Sequence, residues 1–166
     1  MSRWTHRKSK TCDRRLAPAF YRNAVSFHQG AEAGLECFSE MTRYFLAIAT
    51  ELALKAYLLD RGISDDWNRI NIRHDLVKAL KCARRAGLVR TPCGLDQLAA
   101  LLSPYYQTHR IADMPGEVIG EVSWTAACEI VGGLIEAVQA GLGQGSSNSS
   151  ISKFRSGRWH FCAATG

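Results

Sequence analysis

The sequence lacks the features that mark several large classes of protein. None of its six cysteines forms a Cys-x-x-Cys pair or a framework of short spacings, which argues against a disulfide scaffold or a zinc site. No apolar segment follows the basic residues 1–8, so we expect no secretory signal. The longest apolar-rich stretch, residues 44–59, contains Glu51 and Lys55 and is shorter than the roughly 18 residues of a membrane span. We therefore expect a cytoplasmic protein with reduced thiols and no membrane contact.

The chain also lacks any long stretch in which apolar and polar residues alternate, so no sheet is predicted. Apolar residues instead recur with the helical period, and glycines follow the ends of these patterns. The predicted helices cover about residues 17–30, 33–60, 75–87 and 118–141, with a loop over 63–74. A further helix is predicted to begin at Leu95 and to be kinked or split at Ser103 and Pro104. The predicted fold is therefore all-α, with about five helices.

The net charge of +6 is unevenly distributed along the chain. Residues 1–15 contain six basic residues and one acid and are predicted to be a disordered basic arm. Residues 143–166 are predicted to be a flexible Gly/Ser linker followed by a basic tail. Residues 16–142, the predicted helical bundle, are slightly acidic. Attraction to nucleic acid is expected to come from the two ends and from a basic patch formed by Lys78, Lys81, Arg84 and Arg85.

Glu51 and Lys55 stand four residues apart on the predicted central helix, on a stripe that is otherwise apolar. One interpretation is an ordinary bridge between residues i and i+4, worth a few tenths of a kcal/mol. The other is a polar spot in a groove between helices, where Lys55 meets an anion or a carboxylate of a partner. The sequence leaves both open.

Asp75 is predicted to cap the third helix by accepting hydrogen bonds from its first turn. Its neighbour His74 is predicted either to hydrogen-bond back to the central helix or to face a ligand near the helix N-terminus. Further along, Tyr105, Tyr106, His109 and Arg110 form an aromatic and basic group suited to a nucleobase or a phosphate. The alternative is core packing of one tyrosine, with Arg110 paired to an acid.

Taken together, these residues resemble a HEPN-domain protein over about residues 17–140. The similarity is carried by residues 44–59 with the block Glu51-Leu52-Ala53-Leu54-Lys55, by Gly62, and by His74-Asp75-Leu76. The resemblance implies an up-and-down helical bundle, often a homodimer. Members of the family are associated with nucleotides or RNA, and many are ribonuclease toxins encoded beside a minimal nucleotidyltransferase that neutralises them.

Nuclease members of that family use an arginine followed four to six residues later by a histidine on a late helix. Such spacings occur here at Arg22 and His28, at Arg69 and His74, and at Arg155 and His160, whereas residues 111–150 contain no Arg, Lys or His. Arg22 and His28 are the one match within a predicted helix. They lie about 240° apart around it, so they would have to meet across a two-fold axis.

Three functions follow from these observations. The first is a non-catalytic HEPN-like domain that binds a nucleotide, RNA or a partner protein, such as a nucleotidyltransferase in a toxin–antitoxin-type system. Its predicted ligand-binding residues are Glu51, Lys55, His74, Asp75, Tyr106 and Arg110. The second is a metal-independent ribonuclease toxin that acts as a dimer through Arg22 and His28, and the third is a plain dimeric interaction module. We expect no cofactor, no metal and no sequence-specific DNA binding.

Overall fold

The computed structural model describes residues 13–37, 39–114 and 123–143, so most of the predicted basic arm and all of the predicted tail lie outside the described residues. The described part is helical and contains no strand, which confirms the all-α prediction. None of its helices has the length and apolar character needed to cross a membrane. The helices are α1 (Ala17–Gly34), α2 (Ser39–Asp60), α3 (Asp65–Asn71), α4 (Leu76–Arg85), α5 (Leu95–Gln107) and α6 (Trp124–Gly141), with a 3₁₀ turn at Ile111–Asp113 between α5 and α6.

Helix α2 is the centre of the bundle and packs against each of the other described helices. Its seven consecutive residues 53–59 are all buried, so this part of α2 is enclosed on every side. Neighbouring helices supply the rest of the core through leucines such as Leu76, Leu102 and Leu134. Any polar group on this part of α2 must therefore find its hydrogen-bond partners within the protein.

Helix α1 does not end at Gly30, as the sequence predicted, but continues to Gly34. A Cβ atom at Gly30 would lie 2.8 Å from Cδ2 of Phe45, so this glycine allows α1 and α2 to approach closely. The predicted start of the central helix near Ala33 is also wrong, because Ala33 still belongs to α1 and α2 begins only at Ser39. The apolar period runs on from one helix into the next and conceals the turn between them.

The predicted loop over residues 63–74 is partly wrong, because it contains α3. Ser64 caps this helix by accepting a hydrogen bond from the backbone N–H of Trp67 at 3.2 Å. Acidic Asp65 and Asp66 in the first turn complement the helix dipole. With seven residues, α3 is too short for a helical period to be visible in the sequence.

Of the two predicted alternatives at Ser103 and Pro104, a kink or a split, the split is wrong, because α5 runs through Pro104 to Gln107. Proline removes a hydrogen bond to the carbonyl of Ala100, and both residues are exposed, so this carbonyl is open to solvent. Ser103 caps no new helix. Its hydroxyl accepts the backbone N–H of Leu76 at 3.0 Å, which joins α5 to the start of α4.

Gly141 is predicted to be intolerant of a side chain. A Cβ atom there would lie 2.7 Å from Cε2 of Tyr57, whose ring is 1% exposed and has no room to move. We expect Gly141→Ala to lower the free energy of unfolding by about 1–3 kcal/mol through overpacking, measured by urea denaturation. Gly133→Ala on the same helix is the matched control, because its Cβ atom would lie 3.4 Å from Pro92. That change should stabilise the helix by about 0.5–1 kcal/mol, and equal effects of the two variants would contradict the packing described here.

Candidate functional site

The side chain of Glu51 lies buried midway along α2, where three side chains converge on its carboxylate. Lys55 Nζ donates to Oε1 and the hydroxyl of Tyr106 donates to Oε2. His74 Nδ1 lies 3.1 Å from Oε2. We call these four residues, Glu51, Lys55, His74 and Tyr106, the carboxylate cluster. The Glu51 and Lys55 side chains are 7% and 9% exposed, so the pair is a buried ion pair rather than a surface bridge.

The carboxylate cluster determines how His74 presents its ring. Because a carboxylate only accepts hydrogen bonds, the contact with Glu51 places a proton on Nδ1 of His74. In the neutral ring, Nε2 is then left as an acceptor. The His74 side chain is 43% exposed, so one end of this ring is held by a buried carboxylate while the ring itself reaches solvent.

Burial, and secondarily the Glu51 carboxylate, raise the pKa of Tyr106 well above its ordinary value. In the unfolded chain this phenol ionises at about pH 10, whereas in the folded protein it keeps its proton above that pH. The unfolded state therefore binds fewer protons at alkaline pH, and the contribution of Tyr106 to stability is lost as pH rises above about 10.

We expect Tyr106→Phe to reduce the alkaline loss of stability. Urea denaturation between about pH 9 and pH 11 should give a shallower slope for the variant than for the unmodified chain. Tyr21, Cys82 and Cys128 also have raised pKa values, but they are common to both proteins, so the difference in slope reports on Tyr106. Parallel pH profiles would show that the folded protein does not hold the Tyr106 phenol in its protonated form.

Four aromatic rings form a continuous series that leads from the carboxylate cluster to the surface. Tyr106 contacts the ring of His74 at a centroid distance of 5.1 Å and that of Tyr44 at 6.1 Å. His74 in turn contacts His109 at 5.3 Å. All three pairs are edge-to-face, with interplanar angles of 68° to 73°. We call Tyr44, His74, Tyr106 and His109 the ring cluster.

The ring cluster borders an open groove of about 760 Å³ between the start of α2 and the 3₁₀ turn. Tyr44 and His109 belong to both, and Tyr44 is 43% exposed. His109 has a φ of 57°, a left-handed backbone conformation that is uncommon for a side chain with a Cβ atom. The remaining lining residues are Cys37, Ser39, Glu40, Met41, Ile111 and Ala112. The groove therefore offers aromatic rings, a thioether and one carboxylate.

No family model, curated protein or solved structure matches this chain. Its function has to be inferred from the groove and the ring cluster. Within the described ranges, no three His, Cys, Asp or Glu side chains lie close enough together to hold a metal ion.

The structure brings four of the six predicted ligand-binding residues together in the carboxylate cluster. The prediction that His74 bonds back to the central helix is confirmed, as is core packing of one tyrosine, Tyr106. Asp75 lies next to the cluster but caps α4, since its Oδ1 accepts the backbone N–H of Lys78 at 2.9 Å. Arg110 is exposed, and its Nε lies 2.5 Å from Oδ2 of Asp113. This agrees with the alternative in which Arg110 pairs with an acid.

Arg22 and His28, the predicted nuclease pair, lie in different surroundings. Arg22 is exposed on α1, whereas the His28 side chain is 14% exposed and faces α6. His28 Nε2 lies 2.8 Å from the carbonyl oxygen of Cys128, and its Nδ1 lies 3.7 Å from Glu32. Both ring nitrogens thus have partners within the chain, and His28 joins α1 to α6.

Tyr44 is a functional candidate that the sequence analysis did not select, and His109 was named there only as part of the aromatic and basic group with Tyr105, Tyr106 and Arg110. Tyr44 is the first of residues 44–59, the segment that resembles the HEPN family, and in the sequence it fits the apolar pattern of the helix like its neighbours. His109 follows the end of α5 and is placed by its unusual φ, which no sequence pattern indicated. The two residues are 65 positions apart, and their proximity follows from the packing of α5 and the 3₁₀ turn against α2.

Proposed function

We propose that this chain is a non-catalytic, HEPN-like helical domain that binds a nucleobase, of a free nucleotide or of RNA, in the groove beside Tyr44 and His109. The observation that carries the proposal is the continuous ring cluster at the border of a groove of about 760 Å³. Exposed aromatic rings are the surfaces on which single-stranded bases stack. The groove volume is within the range of small-molecule sites.

The arrangement of His74 supports base binding over binding of an anion by Lys55. Lys55 is buried and donates to Glu51, so its ammonium is committed within the protein. Glu51 also orients His74 through Nδ1, which leaves Nε2 as an acceptor for a donor on a base edge. In this proposal the buried ion pair is a positioning device, and the rings make the contact with the ligand.

The supporting experiment is titration of the full-length protein with AMP by isothermal calorimetry. Tyr44→Ala is expected to weaken AMP binding by roughly 5- to 150-fold, the loss of about 1–3 kcal/mol of stacking. Tyr44→Phe keeps the ring and should bind nearly as well as the unmodified chain. His109→Ala is expected to weaken binding in the same direction.

Ile70→Ala is the matched control, because Ile70 is 71% exposed on α3 and takes no part in the ring cluster. Binding of AMP that survives both Tyr44→Ala and His109→Ala would place the ligand elsewhere and overturn the proposal. A complete failure to bind AMP or short RNA would overturn it as well.

A second candidate function is a protein-interaction module, either as a homodimer or with a nucleotidyltransferase partner. It is favoured by Met41, which is 45% exposed beside Tyr44 and gives the groove an apolar, adaptable wall. Exposed methionine and tyrosine side chains are enriched at protein interfaces. Light scattering that detects a dimer, combined with absence of AMP binding, would favour this function over base binding.

A further inference from the structure

The groove beside the ring cluster presents exposed side chains that suit an aromatic and basic partner. Met41 and Tyr44 are 45% and 43% exposed there. The described lining residues include one carboxylate, that of Glu40, and no Lys or Arg. Glu40 is exposed in the first turn of α2 and forms no ion pair with any other described residue. Aromatic rings and a thioether pack well against further rings, and an exposed carboxylate attracts a guanidinium.

One segment of this chain that lies outside the described residues has the complementary chemistry. Residues 154–161, Phe-Arg-Ser-Gly-Arg-Trp-His-Phe, contain three aromatic residues, two arginines and no acid. We call them the 154–161 segment. Residues 151–166 carry three basic residues and no acid, whereas residues 16–142 carry twelve basic and fourteen acidic residues. Opposite net charges, +3 and −2, therefore favour contact between the segment and the bundle.

The described structure shows where the chain leaves the bundle toward this segment. The backbone N–H of Gly143 donates to Oδ2 of Asp60, the last residue of α2, at 3.3 Å. Tyr44 stands 16 residues earlier on the same helix, which separates it from Asp60 by about 24 Å at 1.5 Å per residue. The chain beyond Gly143 therefore has to span about 24 Å to reach the ring cluster.

The length of chain between Gly143 and the 154–161 segment matches this span. Trp159 lies 16 residues beyond Gly143, and residues 143–150 have a Gly/Ser-rich composition. A chain of that composition and length has an r.m.s. end-to-end distance of roughly 20–24 Å and reaches about 53 Å when extended. The effective concentration of a tethered ligand is highest when the r.m.s. length equals the span. Trp159 is thus placed in the sequence where it meets the groove most often.

We infer that the 154–161 segment is an internal ligand of the groove, in which its aromatic rings pack against Met41 and Tyr44 and one of its arginines pairs with Glu40. The segment then blocks the groove, so any other ligand has to displace it. This consequence for AMP rests on the proposed function, whereas the docking of the segment does not. The alternative occupant of the groove is a second copy of the chain.

Oxidation of the whole chain with diamide tests the docking directly, because each partner carries a cysteine. Cys37 lines the groove and is exposed, and Cys162 directly follows the 154–161 segment. A disulfide forms only when the two Cα atoms come within about 7 Å of each other. In a Cys12→Ser background, peptide mapping by mass spectrometry after brief oxidation should find Cys162 joined mainly to Cys37, within one molecule.

Cys93 is the internal control, because it is exposed and lies nearer than the groove to the point where the chain leaves the bundle. Its neighbour Gly94 packs against Ile130, which is about 17 Å along α6 from the last residue of that helix. A segment that does not dock would therefore meet Cys93 at least as often as Cys37. With docking, we expect about five times more Cys37–Cys162 than Cys93–Cys162 disulfide. Equal amounts of the two would overturn the inference.

Two double variants show whether the aromatic side chains hold the segment in place. Trp159→Ala/Phe161→Ala should lower the ratio of the two disulfides to about one, because the tether alone does not favour the groove over Cys93. Ile70→Ala/Val89→Ala is the matched control, since these side chains are 71% and 87% exposed outside the groove, and it should leave the ratio unchanged. A ratio that survives Trp159→Ala/Phe161→Ala would contradict the proposed contact.

The number of molecules in the cross-linked product distinguishes the two occupants. Electrophoresis without reducing agent should show the disulfide between Cys37 and Cys162 in a monomer, at a yield independent of protein concentration. A product that joins two molecules would show a second copy of the chain in the groove and would overturn the inference.

Titration with AMP separates failure of the inference from failure of the proposed function. A segment that occupies the groove for two thirds of the time lowers the affinity for AMP about threefold, so Trp159→Ala/Phe161→Ala should raise it by about that factor. Preferential Cys37–Cys162 cross-linking with unchanged AMP affinity would support the docking and place AMP outside the groove, against the proposed function. A threefold rise without preferential cross-linking would place the segment elsewhere and overturn the inference.

Discussion

Replacing Glu51 by alanine is expected to lower the free energy of unfolding by about 3–5 kcal/mol, the usual cost of leaving one member of a buried ion pair without its partner. The side chain of Lys55 is 9% exposed, and its ammonium donates to Glu51. Without the carboxylate, the buried hydroxyl of Tyr106 also loses its acceptor. Urea denaturation at neutral pH measures the change.

A second variant distinguishes the loss of the ion pair from a general failure of packing. Glu51→Leu/Lys55→Met/Tyr106→Phe removes the carboxylate together with its two buried donors. Since apolar replacements of a buried ion pair are often neutral or stabilising, this triple variant should recover most of the stability lost in Glu51→Ala. A cost below about 1 kcal/mol for Glu51→Ala would mean that Lys55 reaches water, and the carboxylate cluster would then not be a buried unit.

Replacing Arg43 by methionine is expected to cost about 2–4 kcal/mol, because a buried guanidinium here serves main-chain acceptors. Its Nη1 donates to the carbonyl of Met114 at 2.6 Å, and its Nε donates to the carbonyl of Ser39 at 3.1 Å. The guanidinium carbon lies 5.6 Å from the ring centroid of Trp124, a cation–π distance. Arg43 thereby links the start of α2 to Met114 and to the first residue of α6.

Arg43→Lys is the informative companion variant. Lysine keeps the charge but lacks the planar fork that reaches Ser39 and Met114 together, so it should recover less than half of the lost stability. Urea denaturation measures the stability of both variants. Full recovery by lysine would show that charge alone, and not the geometry of the fork, stabilises this corner of the bundle.

The local features of this protein were predictable because each depends on neighbouring residues. Asp75 caps α4, as its position before an apolar run indicated. Gly62 and Gly87, predicted as stops, have positive φ angles of 83° and 107° beyond the ends of α2 and α4. The salt bridge between Glu51 and Lys55 follows from their spacing of four residues on one helix.

Predictions based on glycine and proline failed where packing decided the outcome. Gly30 was predicted to end a helix, but its missing side chain makes room for Phe45. Pro104 was predicted to kink or split a helix, and the split did not occur because Pro104 lies on an exposed face where water can replace the lost bond. In both cases the residue type is compatible with two structures, and its surroundings in the folded bundle select one.

The sequence by itself determined that the chain is all-α, that α2 is its central helix, and that His74, Tyr106 and the Glu51–Lys55 pair are unusual. Only the tertiary structure decided that one carboxylate serves all three partners, and that Tyr44 and His109 extend the site to the surface. Helical period and capping are local properties, whereas the surroundings of Glu51 depend on residues 23 and 55 positions away. The packing of α4 and α5 against α2 brings these residues together, and the buried carboxylate is thereby satisfied within the bundle.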